Sequence, residues 1–203
     1  MQEVVKLVTA SMPFAPVSWW QRAAKAGNVI VDLAEFYQKM SLRNRYYLAA
    51  PGGKQLLSVP IAGGRNQRIA TGHVSISYDT DWQKNHWRTI VSLYGRSPYF
   101  EFYAPYLEPL FQEKHERLHD WNQKGMAIVV KLLHLPVHFV ASNDYVAHYG
   151  PEVLDLRMLK PSADQEARSR YRQVFEDRIG FLPDCSILDL LFCEGPDART
   201  FLV

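Results

Sequence analysis

Residues 4–32, VVKLVTASMPFAPVSWWQRAAKAGNVIVD, contain two apolar runs of strand length with a helical segment between them. The predicted strands are Val4–Val8 and Val29–Asp32. Val17–Ala26 is predicted to be a helix that ends at Gly27, because glycine readily adopts the backbone conformation that closes a helix. A strand, a helix and a strand in this order favour a parallel pair with a right-handed crossover. The stretch therefore predicts an α/β fold.

This unit also predicts where a ligand would lie. Ligands of parallel α/β units gather beyond the carboxyl ends of the strands. We therefore expect residues 9–16 and the segment after Asp32 to lie near any site. The segment after Asp32 is polar, and its cations are Lys39, Arg43 and Arg45. A bare cluster of cations is usually a solvated surface, and that alternative stays open.

The rest of the chain is predicted to be a hairpin followed mainly by helices. Apolar runs at 46–49 and 55–59 flank a Pro-Gly-Gly turn, which is typical of a β-hairpin. Further helices are predicted from about 82 to 94, from about 115 to 135 and from 186 to 192. Two further short strands are predicted, at Pro136–Val140 and at Tyr171–Phe175.

One domain is therefore expected over residues 1–203. Its α/β part covers about 1–80 and its mainly helical part about 81–203. The fold class is mixed α/β, with an N-terminal βαβ unit and a small mixed sheet.

Composition excludes several classes of protein. Lys and Arg number 23 against 21 Asp and Glu, so the net charge is only +2. A dedicated nucleic-acid binder normally has a clear basic excess. No run approaches the ~20 apolar residues of a membrane span. Two cysteines without disulfide spacing favour a reducing compartment, so we expect a soluble, cytoplasmic protein.

A metal site is not expected. His115 and His119 are four residues apart and could share a metal on one helical face. They are surrounded by Glu113, Lys114 and further charged residues, which is typical of a solvated face. We expect no metal and no cofactor.

Residues 82–90, WQKNHWRTI, combine tryptophans, cations and a histidine within one helical stretch. Trp82 and His86 recur at the spacing of a buried helical face. Lys84 and Arg88 share one flank. One interpretation is an amphipathic helix with core aromatics and solvated cations. The other is an anion site, because the N-terminus of a helix favours negative charge.

Several motifs follow this stretch along the chain. They are Ser97-Pro98-Tyr99-Phe100, Trp121-Asn122, Gly180-Phe181-Leu182-Pro183, the run of residues 186–192, and Gly195-Pro196. In this order they resemble the WbqC-like protein family of bacteria. The chain departs from the family pattern at Met12 and Leu42. It is also short before Tyr171, where longer members carry a second α/β pattern.

The resemblance implies a cytoplasmic step in the biosynthesis of a surface polysaccharide, such as the O-antigen of lipopolysaccharide. Our first hypothesis is a transferase that uses an activated sugar or acyl donor bearing phosphate. His86 would be the general acid or base and Asp189 would orient it or a cation. The predicted anion- and substrate-binding residues are Lys84, Arg88, Asn44, Arg45, Trp82, Trp87 and Tyr99. The alternative is a non-catalytic protein of the same pathway that binds a sugar nucleotide or a partner enzyme.

Overall fold

The fold is described from a computed structural model that covers residues 6–64, 68–160 and 170–203. The strands are β1 (Lys6–Ala10), β2 (Asn28–Asp32), β3 (Arg45–Ala50), β4 (Gly53–Ser58), β5 (His138–Ser142) and β6 (Val153–Asp155). The α-helices are α1 (Val17–Ala26), α2 (Trp82–Tyr94), α3 (Phe100–Leu107), α4 (Leu118–Leu133), α5 (Glu176–Ile179) and α6 (Ile187–Glu194).

A four-stranded parallel sheet forms the centre of the N-terminal part, in the order β5-β2-β1-β6. The predicted βαβ unit is confirmed. Val4 and Val5 of the first predicted strand lie outside the described residues. Helix α1 buries Trp19 and Trp20 and ends at Gly27, whose φ is +70°. The indole Nε1 of Trp19 donates to Thr9 Oγ1 over 3.1 Å and so ties α1 to β1.

The C-terminal half contributes strands to this sheet. Strand β5 confirms the expectation at Pro136–Val140. Strand β6 was not predicted from the sequence. The α/β class is confirmed, but the predicted mixed sheet is in fact two sheets, because the antiparallel β3–β4 hairpin stands apart from the parallel strands.

The strand expected at Tyr171–Phe175 was wrong. Residues 170–173 have no regular structure, and they pair with no strand among the described residues. The side chains of Tyr171 and Gln173 instead bind Asp189. These side-chain bonds hold the segment in place without a β-ladder.

Helices α2, α4 and α6 pack their apolar faces into one continuous core. Helix α2 buries Trp82, His86 and Ile90, in agreement with their spacing. Helix α6 begins at Ser186, whose Oγ accepts from the backbone N–H of Leu188. Within the described parts of the chain, every helix is too short or too polar to cross a bilayer.

Candidate anion-binding site

A cavity of about 490 Å³ lies between the segment after Asp32 and the end of the hairpin. This volume is within the usual range for small-molecule sites. We call it the hairpin cavity. Its polar lining residues are Tyr37, Lys39, Asn44, Arg45 and Ser58, and its other lining residues are Met40, Val59, Pro60, Ile61 and Gly64.

The local sequence explains how the polar side chains come together. The Ser41 hydroxyl donates to Gln38 O over 2.6 Å and accepts from the backbone N–H of Arg43, so a short 3₁₀ turn precedes β3. The register of the hairpin then pairs Arg45 with Ser58. Both residues therefore stand at the same end of the hairpin, facing the segment of residues 37–40 across the cavity.

Asn44 fastens the two walls of the cavity. Its Oδ1 accepts from the Tyr37 hydroxyl over 3.0 Å. Its Nδ2 donates to Val59 O over 2.8 Å and to Ser58 Oγ over 3.3 Å. Because both ends of the amide are engaged, Asn44 holds the shape of the cavity.

Arg45 carries an unpaired hydrogen-bond donor at the edge of the cavity. Its Nε is buried and has no hydrogen-bond partner among the described residues. Buried donors are almost always paired, and an unpaired one costs about 1–3 kcal/mol. The described lining contains a second cation, Lys39, and no carboxylate. Its electrostatics therefore favour an anion.

His86 lies behind this wall rather than in the cavity. Its side chain is 5% exposed and packs edge-on against Tyr46 and Trp82. Its Nδ1 is 3.0 Å from the Tyr46 hydroxyl, and the ring also bonds the backbone of Ser58. Burial lowers the pKa of His86 to about 4, so the imidazole is neutral at pH 7. The imidazole is therefore a neutral base that is already engaged by the Tyr46 hydroxyl and the Ser58 backbone.

The aromatic residues of α2 stack within the protein. Trp82 is buried against Trp121, with ring centroids 5.3 Å apart. Trp87 is half-buried and stacks on Phe100 and Phe111, at 6.0 and 5.5 Å. Both indoles therefore contact aromatic rings of the protein, and their binding roles stay predictions.

The cations of α2 lie on its outer face. Lys84 and Arg88 are exposed and form no ion pair with any residue in the described ranges. Tyr99 is half-buried, and its backbone N–H donates to Phe192 O over 3.2 Å. Its ring fills the space that a side chain at Gly195 would need. These three residues do not line the hairpin cavity.

Asp189 lies in the core, away from the hairpin cavity. It is fully buried. Its Oδ1 accepts from the Tyr94 hydroxyl over 2.8 Å, and its Oδ2 accepts from the Tyr171 hydroxyl over 2.5 Å and from Gln173 Nε2 over 2.7 Å. Burial raises the pKa of this carboxyl group, while the three hydrogen bonds oppose the rise.

The structure therefore brings together only part of the predicted site. Asn44 and Arg45 meet in one cavity. Asp189 bonds two tyrosines and a glutamine, and no hydrogen bond joins it to His86. The catalytic roles of His86 and Asp189 stay predictions, as do the binding roles of the exposed cations. Among the described residues, no group of three or more His, Cys, Asp or Glu side chains could hold a metal.

Two residues that line the cavity were not predicted from the sequence. Tyr37 and Ser58 carry no motif, and their approach depends on tertiary structure. Lys39 was noticed only as part of a basic cluster. The available signal was the polar segment after Asp32 at the end of a parallel strand.

Together, a small parallel sheet and an adjoining cationic cavity define an α/β domain with a candidate ligand site. The chain belongs to the WbqC-like protein family, whose model matches residues 14–160. The resemblance seen in the sequence is thus confirmed. The chain is also similar to the uncharacterised protein Rv1507c of Mycobacterium tuberculosis (strain ATCC 25618 / H37Rv). The two are 28% identical over 195 residues, which cover 82% of this chain and 83% of that protein. No solved structure matches the chain significantly.

Proposed function

We propose that the hairpin cavity holds the phosphate of an activated sugar donor, and that the protein acts in the biosynthesis of a bacterial surface polysaccharide of the O-antigen type. The observation that carries the proposal is the buried, unpaired Nε of Arg45. Family membership supports the pathway. A cytoplasmic location fits the two unpaired, buried cysteines.

The chemistry of the lining suits such a donor. Phosphate oxygens accept charge-assisted hydrogen bonds from a guanidinium, and these are among the strongest in proteins. A phosphate monoester carries about −1.5 to −2 charges at pH 7, which matches the two lining cations, Arg45 and Lys39. The Ser58 hydroxyl can form a hydrogen bond with a sugar hydroxyl. Val59, Pro60 and Ile61 offer an apolar surface to the ring.

As a transferase, the protein would also need a group that accepts a proton from the acceptor. His86 is the candidate, since it is neutral at pH 7 and bonds the backbone of Ser58. For transfer, the Ser58 strand would have to move and expose the imidazole. In the transferase hypothesis, the phosphate of the donor binds Arg45 and the acceptor binds next to His86.

The second candidate is a donor-binding accessory protein without turnover. The observation that favours it is the enclosure of His86, whose Nδ1 is occupied by the Tyr46 hydroxyl. The same cavity would then deliver or sequester a sugar nucleotide for a partner enzyme.

A thermal-shift screen tests the proposal. Wild type and Arg45→Met are scanned with inorganic phosphate, glucose 1-phosphate, UDP-glucose and acetyl-CoA. A ligand that binds the native state raises the melting temperature saturably. We expect a rise with at least one phosphate-bearing compound in wild type, and little or none in Arg45→Met.

Two outcomes decide the remaining questions. Absence of any shift in wild type across the panel would overturn the proposed function. Where a donor binds, phosphate or nucleotide release in the presence of sugar acceptors distinguishes the transferase from the accessory protein.

A further inference from the structure

The segment between β5 and β6 crosses the carboxyl edge of the parallel sheet. Strand β5 ends at Ser142, which pairs with Asp32 at the carboxyl end of β2. Strand β6 begins at Val153, which pairs with Lys6 at the amino end of β1. We call residues 143–149 the strap. Apart from the half-buried Tyr149, this stretch is exposed, so little apolar packing holds it.

Arg157 ties the strap to the sheet. An arginine has five N–H donors. Here Nη1 donates to Asp32 Oδ2 over 2.9 Å and to Val146 O over 2.7 Å. Nη2 donates to Ala147 O over 3.3 Å and to Asp155 Oδ2 over 2.6 Å, and Nε donates to Asp155 Oδ1 over 3.1 Å. All five donors are used, and two of them bind strap carbonyls.

Two aromatic rings of the strap complete this contact. The guanidinium carbon of Arg157 is 5.6 Å from the Tyr145 ring centroid and 5.1 Å from the Tyr149 ring centroid. Cation–π contacts of this length are attractive. The strap therefore contacts Arg157 through two carbonyl groups and two rings. Asp32 and Asp155, at the ends of sheet strands, bind the same guanidinium.

The same part of the chain touches both segments that carry the hairpin cavity. Arg157 O accepts from Arg43 Nη2 over 3.1 Å. Glu35 holds Arg43 through two bonds of 3.0 and 2.6 Å, and Arg43 directly precedes Asn44 and Arg45. On the other wall, Gln38 Nε2 donates to Met158 Sδ over 3.2 Å.

We propose that the strap closes over the carboxyl edge of the sheet and that Arg157 couples its closure to occupancy of the hairpin cavity. An anion bound at Arg45 would hold residues 37–45 in place. Their contacts with Arg157 and Met158 would then hold the bonds between Arg157 and the strap. Because such coupling is reciprocal, a closed strap also favours the bound anion. The coupling rests on the proposed function, since it needs a ligand at Arg45.

Hydrogen–deuterium exchange of the strap amides tests the coupling, with inorganic phosphate as the probe. In wild type, saturating phosphate should slow exchange of the strap amides about fivefold or more. In Arg157→Lys, which keeps the charge but loses the fork of donors, these amides should exchange about tenfold faster without ligand. Phosphate affinity should also fall about fivefold. Arg172→Lys is the matched control, since the pair of Arg172 with Asp177 is exposed, and it should behave as wild type.

A second variant guards against misfolding of Arg157→Lys. Tyr145→Ala removes a 61% exposed ring and leaves every ion pair in place. It should raise strap exchange less than Arg157→Lys does and weaken phosphate binding slightly.

The outcomes separate the two proposals. Phosphate binding without any change in strap exchange, in both wild type and Tyr145→Ala, would overturn the coupling and leave the proposed function standing. Failure of wild type to bind phosphate or the other donors would overturn the proposed function and the coupling with it. In that case, unchanged ligand-free exchange in Arg157→Lys would also show that Arg157 does not hold the strap.

Discussion

Arg45 and Asp189 each place polar side-chain atoms inside the protein, but the surroundings of these atoms differ. Each oxygen of Asp189 accepts a hydrogen bond from a neighbouring side chain. The Nε of Arg45 has no partner in the described parts of the chain, and its side chain borders a cavity. Hydrogen bonds offset the cost of burying Asp189, whereas an unpaired donor beside a cavity leaves a hydrogen bond that a ligand could supply. This difference is the reason for proposing Arg45 as a ligand-binding residue.

Helix α2 extends the comparison. It carries the richest mixture of residue types in the sequence, yet its inner face belongs to the core and its outer face is solvated. The plainer segment of residues 37–45 borders the cavity. Substitutions in the core should therefore lower the stability of the protein, whereas substitutions at the cavity should weaken ligand binding.

The largest expected effect is the pH dependence that His86 confers. Its folded pKa of about 4 lies below the ordinary value of 6.5. The unfolded state therefore binds the proton more tightly, and stability is full above about pH 6.5 and lost as the pH falls. The loss should reach roughly 3 kcal/mol near pH 4.

Urea unfolding from pH 7 to pH 4 measures this effect in wild type and in His86→Gln. The stability difference between them should shrink by most of that amount as the pH falls. His138→Gln, at an exposed histidine, should keep the pH dependence of wild type. A constant difference between wild type and His86→Gln would place His86 in solvent contact.

Asp189→Asn should destabilise the protein by about 2 kcal/mol at pH 7. The amide brings N–H donors to a place where two hydroxyls and Gln173 already donate, so buried donors lose their acceptors. Urea denaturation measures the change, with Asp177→Asn as an exposed control. Phosphate affinity of the folded variant should be unchanged. A stable variant that loses only activity would instead support a catalytic role for Asp189.

Asn44→Ala should cost about 1 kcal/mol of stability and weaken phosphate binding, because both cavity walls lose their fastening to the same amide. Calorimetric melting and phosphate titration measure the two effects together. Asn85→Ala, at an exposed position on α2, should change neither. Full phosphate affinity in Asn44→Ala would show that the cavity keeps its shape without this amide.

The smallest effects are expected at Lys84 and Arg88. Each substitution by Ala should change stability by less than about 0.5 kcal/mol, since both side chains are exposed and unpaired among the described residues. Thermal unfolding with and without phosphate measures this. A marked loss of the ligand shift in either variant would move the anion site to the N-terminal end of α2.

Much of the fold was predictable because local patterns and tertiary structure agree. The apolar runs around α1, the Pro-Gly-Gly turn and Ser186 each specify a local structure that the core retains. Strand β6 was not predictable, because three residues in a polar segment become a strand only by pairing with β1. The strand expected at Tyr171 failed for the converse reason, since its side chains are engaged by Asp189.

The candidate site was predictable only in part. The position of Asn44 and Arg45 after a parallel strand was a usable signal. The spacing of Trp82 and His86 indicated a buried face just as strongly as a site. The cavity itself forms where residues 37–40 approach Ser58. The distance between these two segments is set by tertiary packing, which the sequence pattern does not show.

Titration calorimetry of inorganic phosphate into Arg45→Met and Lys84→Met tests the central claim most directly. The two variants remove the same charge with the same replacement, one in the cavity and one on the outer face of α2. We predict that Arg45→Met binds about tenfold or more weakly than wild type, with its fold intact, and that Lys84→Met binds as wild type does. Equal affinity in wild type and Arg45→Met, or a loss confined to Lys84→Met, would contradict the assignment of the hairpin cavity as the anion site.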